Sequence, residues 1–147
     1  MPVLVDTSVW SLVLRRSQGN LSSAQQRVRV ELTELIQQGV ARLIGPIRQE
    51  LLSGIRDQGQ YERLRDHLRA FDEPALLAED YEEAARMHNL CRSRGVSGSA
   101  IDFVMCAAGA RRNWPIFTSD KDFVRYARFL PIRIHVPRDR PSPASGA

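Results

Sequence analysis

Hydrophobic and polar positions along the chain follow two alternating patterns, which predict short strands and longer helices in turn. Short apolar runs that end at polar residues are typical of buried strands, and they occur at residues 3–5, 43–44, 115–118 and 132–136. Apolar residues at helical spacing predict helices near residues 7–14, 21–38, 45–55, 61–71, 81–91, 100–112 and 123–127. Strands that alternate with helices indicate an α/β domain with a mainly parallel sheet covered on both faces.

The end of the chain has a different composition. Residues 137–147 contain three prolines and almost nothing apolar, so we expect a disordered tail that follows a folded domain at residues 1–136. No apolar run approaches the roughly 18 residues that a membrane span requires. The N-terminus lacks a basic segment followed by a long apolar one, so we expect a cytoplasmic protein without a secretory signal.

Two acids follow predicted strands directly. Asp6 comes after the run at 3–5, and Asp120 comes one serine after the run at 115–118. In open parallel sheets, ligands bind beyond the carboxyl ends of the strands. We therefore expect Asp6 and Asp120 to lie at the edge of the sheet where this architecture places its sites.

Glu50 and Asp102 stand out for a different reason. Neither has a basic residue three or four positions away on its predicted helix, and Asp102 lies in the apolar run AIDFVMCAAGA. A buried carboxylate without a cationic partner is costly, and a metal ion removes that cost. Mg²⁺ and Mn²⁺ prefer oxygen ligands, and such sites suit phosphodiester hydrolysis.

Each of these acids also has a local structural interpretation. Asp6 is placed to cap the first helix, and Glu50 to act as a first-turn acid that the helix dipole favours. Asp102 has the spacing of a capping box with Ser99, and Asp120 is placed to cap the helix that follows it. These alternatives stay open for each acid taken alone, whereas the four acids together favour a shared site.

Four sequence blocks carry a resemblance to a known family. They are VLVDTSVW, PIRQELLSGIRD, GSAIDFVMCAAGA and IFTSDKDF, in this order. With them, residues 3–136 resemble the PIN-domain ribonucleases, and specifically the VapC-type toxins of bacterial toxin–antitoxin pairs. The resemblance implies a three-layer α/β sandwich with a mainly parallel sheet of about five strands flanked by helices, commonly in a homodimer.

The resemblance also implies a role for each acid. Asp6, Glu50, Asp102 and Asp120 would be catalytic and would gather round one or two Mg²⁺ or Mn²⁺ ions, with Asp6 and Asp102 as the more direct ligands. Asp122 is a secondary candidate that we expect to cap or steady the loop. Nearby hydroxyl groups would orient the carboxylates; they belong to Thr7, Ser8, Thr118 and Ser119.

The implied function is metal-dependent endonucleolytic hydrolysis of RNA by a toxin. Its partner would be a small VapB-type antitoxin whose tail fills the acidic groove. The chain carries a formal net charge of +4, and its arginine forks suit phosphate. Those near the four blocks are candidates for RNA contact, although a solvated surface is the alternative: Arg15, Arg16, Arg48, Arg56, Arg111 and Arg112.

Two other classes of function compete with this interpretation. One is a PIN-like domain that binds RNA or acts as a scaffold without catalysis, which the loss of a metal-binding acid would favour. The other is a phosphatase or a DNA-directed nuclease. An aspartyl-phosphate phosphatase needs a second Asp two residues after the first, and here the first strand is followed by Asp-Thr-Ser instead. Against a DNA-directed nuclease, we expect no extra segment that would grip a duplex.

Overall fold

The computed structural model describes residues 1–14 and 18–138. Within these ranges, short strands alternate with helices as the sequence pattern predicts. The elements are β1 (Val3–Val5), α1 (Thr7–Leu14), a short 3₁₀ turn (Gln18–Asn20), α2 (Ser23–Gln37), β2 (Ala41–Arg42), α3 (Gly45–Leu52), α4 (Gln58–Leu68), α5 (Ala78–Ser93), α6 (Ala100–Arg112), β3 (Ile116–Phe117) and α7 (Asp122–Tyr126).

The sheet is parallel, with β1 in the centre and the strand order β2-β1-β3. Leu4 lies opposite Arg42 on one side and opposite Ile116 on the other. A further segment joins beyond β3, where Ile134 forms a parallel bridge with Ile116. The described residues thus contain three strands and one bridged segment, fewer than the about five strands that the resemblance implied for this α/β architecture.

Two predicted strands differ from the observed ones. The second strand lies at Ala41–Arg42 rather than at 43–44, because Gly39, at a φ of 73°, turns the chain into the sheet directly after α2. Leu43 and Ile44 are fully buried, but the Leu43 N–H bonds to the Asp72 carbonyl and Ile44 is the N-cap of α3. The segment at 132–136 contributes a single bridge rather than a strand.

Helix α6 runs back along the sheet and ends next to the start of β3. It ends at Asn113 in the left-handed conformation, with a φ of 58°, two residues before Pro115. A Cβ on Gly109 would lie 3.1 Å from the Ile116 side chain, so this glycine allows the helix to pack closely against β3. Because α6 ends where β3 begins, the first turn of α6 lies at the edge of the sheet where the strands end.

A buried ion pair joins the start of α5 to the end of α6. The Asp80 side chain is completely buried and accepts hydrogen bonds from Arg111 at 2.6 Å and from Arg112 at 2.8 and 2.9 Å. The hydrogen bonds from Arg112, followed by smaller contributions that include Arg111, hold the pKa of Asp80 well below its usual range against the opposing effect of burial. This contact anchors the helix that carries Asp102.

The C-terminal segment is held against α2. Glu31 is fully buried there and accepts a hydrogen bond from His135 at 2.7 Å, while Arg138 pairs with Glu34 at 2.6 Å. The described part of the predicted tail, Pro137 and Arg138, therefore lies on the domain, and residues 139–147 lie outside the described residues. No helix in the described ranges combines the length and the apolar character that a bilayer crossing requires.

Candidate active site

The acids predicted from the sequence come from different elements at the carboxyl edge of the sheet. Asp6 follows β1, Asp102 lies in the first turn of α6, and Asp120 lies between β3 and α7. Carboxylate oxygens of Asp102, Asp120 and Asp122 all lie within 4.8 Å of one another. The structure therefore brings two of the four predicted acids together with Asp122, which the sequence ranked second.

Asp6 is fixed by two hydroxyl groups, one from the first turn of α1 and one from the residue that follows β3. Its Oδ2 atom accepts hydrogen bonds from the Ser8 hydroxyl at 2.8 Å and from the Thr118 hydroxyl at 2.9 Å. The residue is only 7% exposed, and this burial raises the pKa of the carboxyl, while the two hydroxyls oppose the rise. Asp6 is thus a well-oriented carboxylate in a place that disfavours its charge.

The same hydroxyls connect Asp6 to the loop after β3. Ser8 Oγ accepts the Ser119 N–H at 2.9 Å, and Thr118 Oγ1 accepts the Asp120 N–H at 3.0 Å. Asp120 Oδ1 in turn accepts the Asp122 N–H at 2.9 Å. Of the hydroxyls expected to orient carboxylates, those of Ser8 and Thr118 contact Asp6, whereas Ser119 contributes its backbone N–H.

Asp102 is half-buried and held from two sides. The Tyr126 hydroxyl donates a 2.6 Å hydrogen bond to Asp102 Oδ2, and Ser99 Oγ caps the helix by accepting the Asp102 N–H at 3.1 Å. Burial raises the pKa of Asp102, and the charges of Asp6 and Asp120 raise it further against these hydrogen bonds. Asp6 is therefore electrostatically coupled to the group that contains Asp102.

Glu50 lies at the margin of the site. Its exposed carboxylate accepts a hydrogen bond at Oε1 from the hydroxyl of Thr7, which directly follows Asp6. Glu50 occupies the second half of α3, so its interpretation as a first-turn acid is wrong. Its link to the other acids runs through α1 rather than through direct contact with the group at α6.

The donor atoms fit a hard divalent cation. Carboxylate oxygens of three half-buried residues converge, and within the described chain neither Asp102 nor Asp120 forms an ion pair with a basic side chain. Asp122 has a partly exposed partner, Arg125, at 3.5 Å. Clustered carboxylates repel one another unless a cation compensates them, and oxygen-only sets suit Mg²⁺ or Mn²⁺.

Two residues of the site were not found from the sequence. Tyr126 carries no local signal, because an aromatic residue on a short apolar helix usually indicates packing. Gly98 lies against the hydroxyl of Tyr126, and the sequence around it indicates only a turn before α6. The sequence did offer one clue to Asp122, which is its position two residues after Asp120.

Three of the six arginines proposed for RNA contact have structural partners. Arg111 and Arg112 bind Asp80, and Arg48 binds Glu73 at 2.7 Å, so these three guanidinium groups are engaged within the fold rather than simply solvated. Arg56 forms no ion pair with any other described residue and stays a candidate. Two further candidates lie outside the described residues: Arg15 and Arg16.

Three solved structures are similar to this chain over most of its length. No curated protein matches the chain. FitAcB from Neisseria gonorrhoeae is 18% identical with a TM-score of 0.67, and the match covers 92% of this chain and 97% of that one. VapBC2 from Rickettsia felis, bound to a DNA fragment from their promoter, is 13% identical with a TM-score of 0.70 over 91% and 96% of the two chains. FitAB bound to IR36 DNA is 17% identical with a TM-score of 0.71 over 97% and 99%.

These structural matches establish the architecture, a parallel sheet between helices, at low sequence identity. The family model named PIN domain matches residues 3–129, which is most of the chain. Asp6, Asp102 and Asp120 all lie inside that match. The chain therefore belongs to the PIN domain family.

Proposed function

We propose that this protein is the toxin of a toxin–antitoxin pair and a Mg²⁺- or Mn²⁺-dependent endoribonuclease. Its catalytic and metal-binding residues would be Asp6, Glu50, Asp102 and Asp120. The observation that carries the proposal is the convergence of carboxylates at the carboxyl edge of a PIN domain sheet, where oxygens of Asp102, Asp120 and Asp122 lie within 4.8 Å of one another. Membership of the PIN family supports nuclease chemistry at this edge.

The carboxylates would share the work of holding the cation. Asp6 and Asp102 would be the more direct ligands, and Asp120 and Glu50 would complete the acidic pocket, Glu50 from the exposed margin through water. Asp122, whose carboxylate lies with those of Asp102 and Asp120, would be a secondary candidate. A bound divalent ion would supply an activated water and stabilise charge on the phosphate and the leaving oxygen. Asp6 has to give up any proton first, so its raised pKa predicts weaker metal binding as the pH falls.

The chain's own hydroxyls keep the carboxylates aligned. Ser8 and Thr118 hold Oδ2 of Asp6 from two directions, which limits rotation of that carboxylate. Thr7 holds Glu50 toward the same edge of the sheet. Such outer contacts stabilise ligand orientation and raise metal affinity in other metal sites.

The proposed partner is a small antitoxin of the VapB type. Two of the structural neighbours, VapBC2 and FitAB, are described as bound to DNA fragments. The resemblance to VapC-type toxins implies that the antitoxin would place an arginine among the carboxylates and so occupy the place of the cation. We further propose that the toxin is a cytoplasmic homodimer.

The test is RNA cleavage by the purified, antitoxin-free protein. Mixed small RNAs are incubated with and without Mg²⁺ or Mn²⁺, beside Asp6→Ala and the surface control Asp66→Ala. We expect cleavage that needs the metal, disappears in Asp6→Ala and persists in Asp66→Ala. Cleavage undiminished in Asp6→Ala would contradict the site. Absence of cleavage together with retained RNA binding would favour the non-catalytic binding domain instead.

A further inference from the structure

Tyr126 is the last residue of α7, and its side chain is completely buried. Its ring packs against Phe103 and Phe123, with ring centroids 5.0 and 5.2 Å apart. Phe103 belongs to the same helix as Asp102 and stacks on His88 from the other side. The phenol ring is therefore fixed by a packed aromatic cluster, so its hydroxyl occupies one defined position.

That hydroxyl donates to a carboxylate rather than to a backbone group or solvent. The distance from Tyr126 Oη to Asp102 Oδ2 is 2.6 Å, which is typical of a charge-assisted hydrogen bond. Within the described chain, Asp102 forms no ion pair with a basic side chain. The tyrosine thus provides a strong orienting contact from the protein to this acid while adding no positive charge that would compete with a metal ion.

Gly98 provides the space in which the hydroxyl sits. A Cβ at this position would overlap with Tyr126 Oη and would lie 2.8 Å from Cζ, inside contact distance. The backbone of Gly98 does not have a positive φ, so the position requires glycine for space rather than for conformation. The segment before α6 therefore accommodates Tyr126 only while residue 98 has no side chain.

We propose that Tyr126 is a positioning residue that sets the orientation of the Asp102 carboxylate toward the divalent cation, in a space that Gly98 keeps open. The inference rests on the proposed metal-dependent function and goes beyond it, because it assigns metal affinity to residues outside the four acids. Terminal carboxylate rotation is a soft, broad torsion, so a fixed donor on Oδ2 determines where the other oxygen points. Loss of such an outer contact typically weakens metal binding by roughly 10- to 100-fold.

The first test is Mn²⁺ titration of Tyr126→Phe by calorimetry, without RNA. This substitution removes only the hydroxyl and keeps the ring in its aromatic cluster. We expect the dissociation constant for Mn²⁺ to rise by roughly 10- to 100-fold. The matched control is Tyr81→Phe, which removes a hydroxyl from a half-exposed tyrosine of α5 and should leave the constant unchanged.

The second test uses Gly98→Ala alone and in combination with Tyr126→Phe. The added methyl should displace the tyrosine hydroxyl and weaken Mn²⁺ binding in the wild-type background. In the Tyr126→Phe background there is no hydroxyl left to displace, so Gly98→Ala should weaken Mn²⁺ binding far less there than it does in the wild-type background. Thermal unfolding of each variant checks folding, and Tyr126→Phe decides the question if Gly98→Ala does not fold.

The outcomes separate the two proposals. Wild-type affinity in Tyr126→Phe would overturn the positioning role and leave the nuclease proposal standing. Weakened binding in Tyr126→Phe, with no RNA cleavage by the wild type, would support the positioning role and contradict the nuclease. Failure of the wild type to bind Mn²⁺ would overturn both the metal dependence and the positioning role. If the losses of Mn²⁺ affinity from Gly98→Ala and Tyr126→Phe simply add in the double variant, Gly98 has no part in the positioning role.

Discussion

At the scale of single residues, Asp6 and Asp102 lie where the folded protein resists their charge. Burial raises the pKa of both carboxyls, and the charges of Asp6 and Asp120 raise the pKa of Asp102 further. Among the residues that the structure describes, no basic side chain forms an ion pair with either acid. Their hydrogen bonds offset only part of this effect. Such residues reduce the stability of the metal-free fold in return for a site that attracts cations.

Asp6→Asn should therefore stabilise the metal-free protein. Because the folded-state pKa of Asp6 is raised, its ionised form destabilises the fold above that pKa, and the destabilisation is relieved as the pH falls through it. We expect added stability near neutral pH, seen as a rise of a few degrees in Tm with a chelator present.

Thermal unfolding measures this change, with Asp66→Asn as the control at an exposed acid paired with surface arginines. The control should leave Tm unchanged. A lower Tm for Asp6→Asn would mean that the hydrogen bonds from Ser8 and Thr118 outweigh the burial of the charge.

The residues of the site differ in how far the sequence could predict them. Asp6 and Asp120 were predictable because each follows a strand, and residues that follow parallel strands lie together at the carboxyl edge of the sheet. Asp102 was predictable because a carboxylate in an apolar helix without a basic partner is costly to bury, which indicates a functional role. Tyr126 was not, because its hydroxyl contact is tertiary and depends on the space beside Gly98.

At the scale of elements, α6 places Asp102, and the buried Asp80 fixes the far end of α6. Arg112 contributes two hydrogen bonds to this carboxylate and also bonds to the carbonyls of Ala108 and Ala75. Arg111 contributes one bond and is more exposed. The pair therefore acts as an anchor between α5 and α6 with unequal contributions from its two arginines.

Arg112→Ala should destabilise the fold by about 3 kcal/mol, because it removes the main partner of a fully buried carboxylate. Arg111→Ala, the matched control, should cost about 1 kcal/mol. Chemical unfolding of both variants measures the difference. Equal losses would contradict the dominant role of Arg112.

The same anchor predicts a direction for the pH dependence. The pKa of Asp80 is lowered in the fold, so its stabilisation is fully present above the ordinary pKa of 3.8 and is lost as the pH falls toward the lowered value. This acid-induced loss should be smaller in Asp80→Asn, which is less stable at neutral pH but has no carboxyl to protonate there.

Elements with mixed signals were the hardest to predict. Leu43 and Ile44 are apolar, β-branched in part, and fully buried, yet they form a connection rather than a ladder. Their burial comes from packing under the turn into α3, and sequence periodicity does not distinguish that environment from a buried strand. Helices with clear spacing were predicted more closely, as for α6, whose observed bounds of Ala100–Arg112 match the predicted ones.

At the scale of the whole molecule, a chain with a net charge of +4 brings a small group of its carboxylates together at one edge of the sheet. Several arginines that contribute to this charge are engaged in structural pairs rather than aligned along the acidic site. Net charge therefore favours association with nucleic acid only weakly. The group of acids at the carboxyl edge of the sheet, an edge that the alternation of strands and helices predicts, indicates function more strongly than the net charge does.

The central claim is that the carboxylates at this edge bind the cation that the nuclease needs. Crystals grown with Mn²⁺ test it directly through the anomalous scattering of the metal. We predict a peak among Asp102, Asp120 and Asp122, facing Asp6, and the loss of this peak in Asp102→Asn. A strong peak elsewhere on the chain, with none at this edge in a protein that cleaves RNA only with Mn²⁺, would contradict the account.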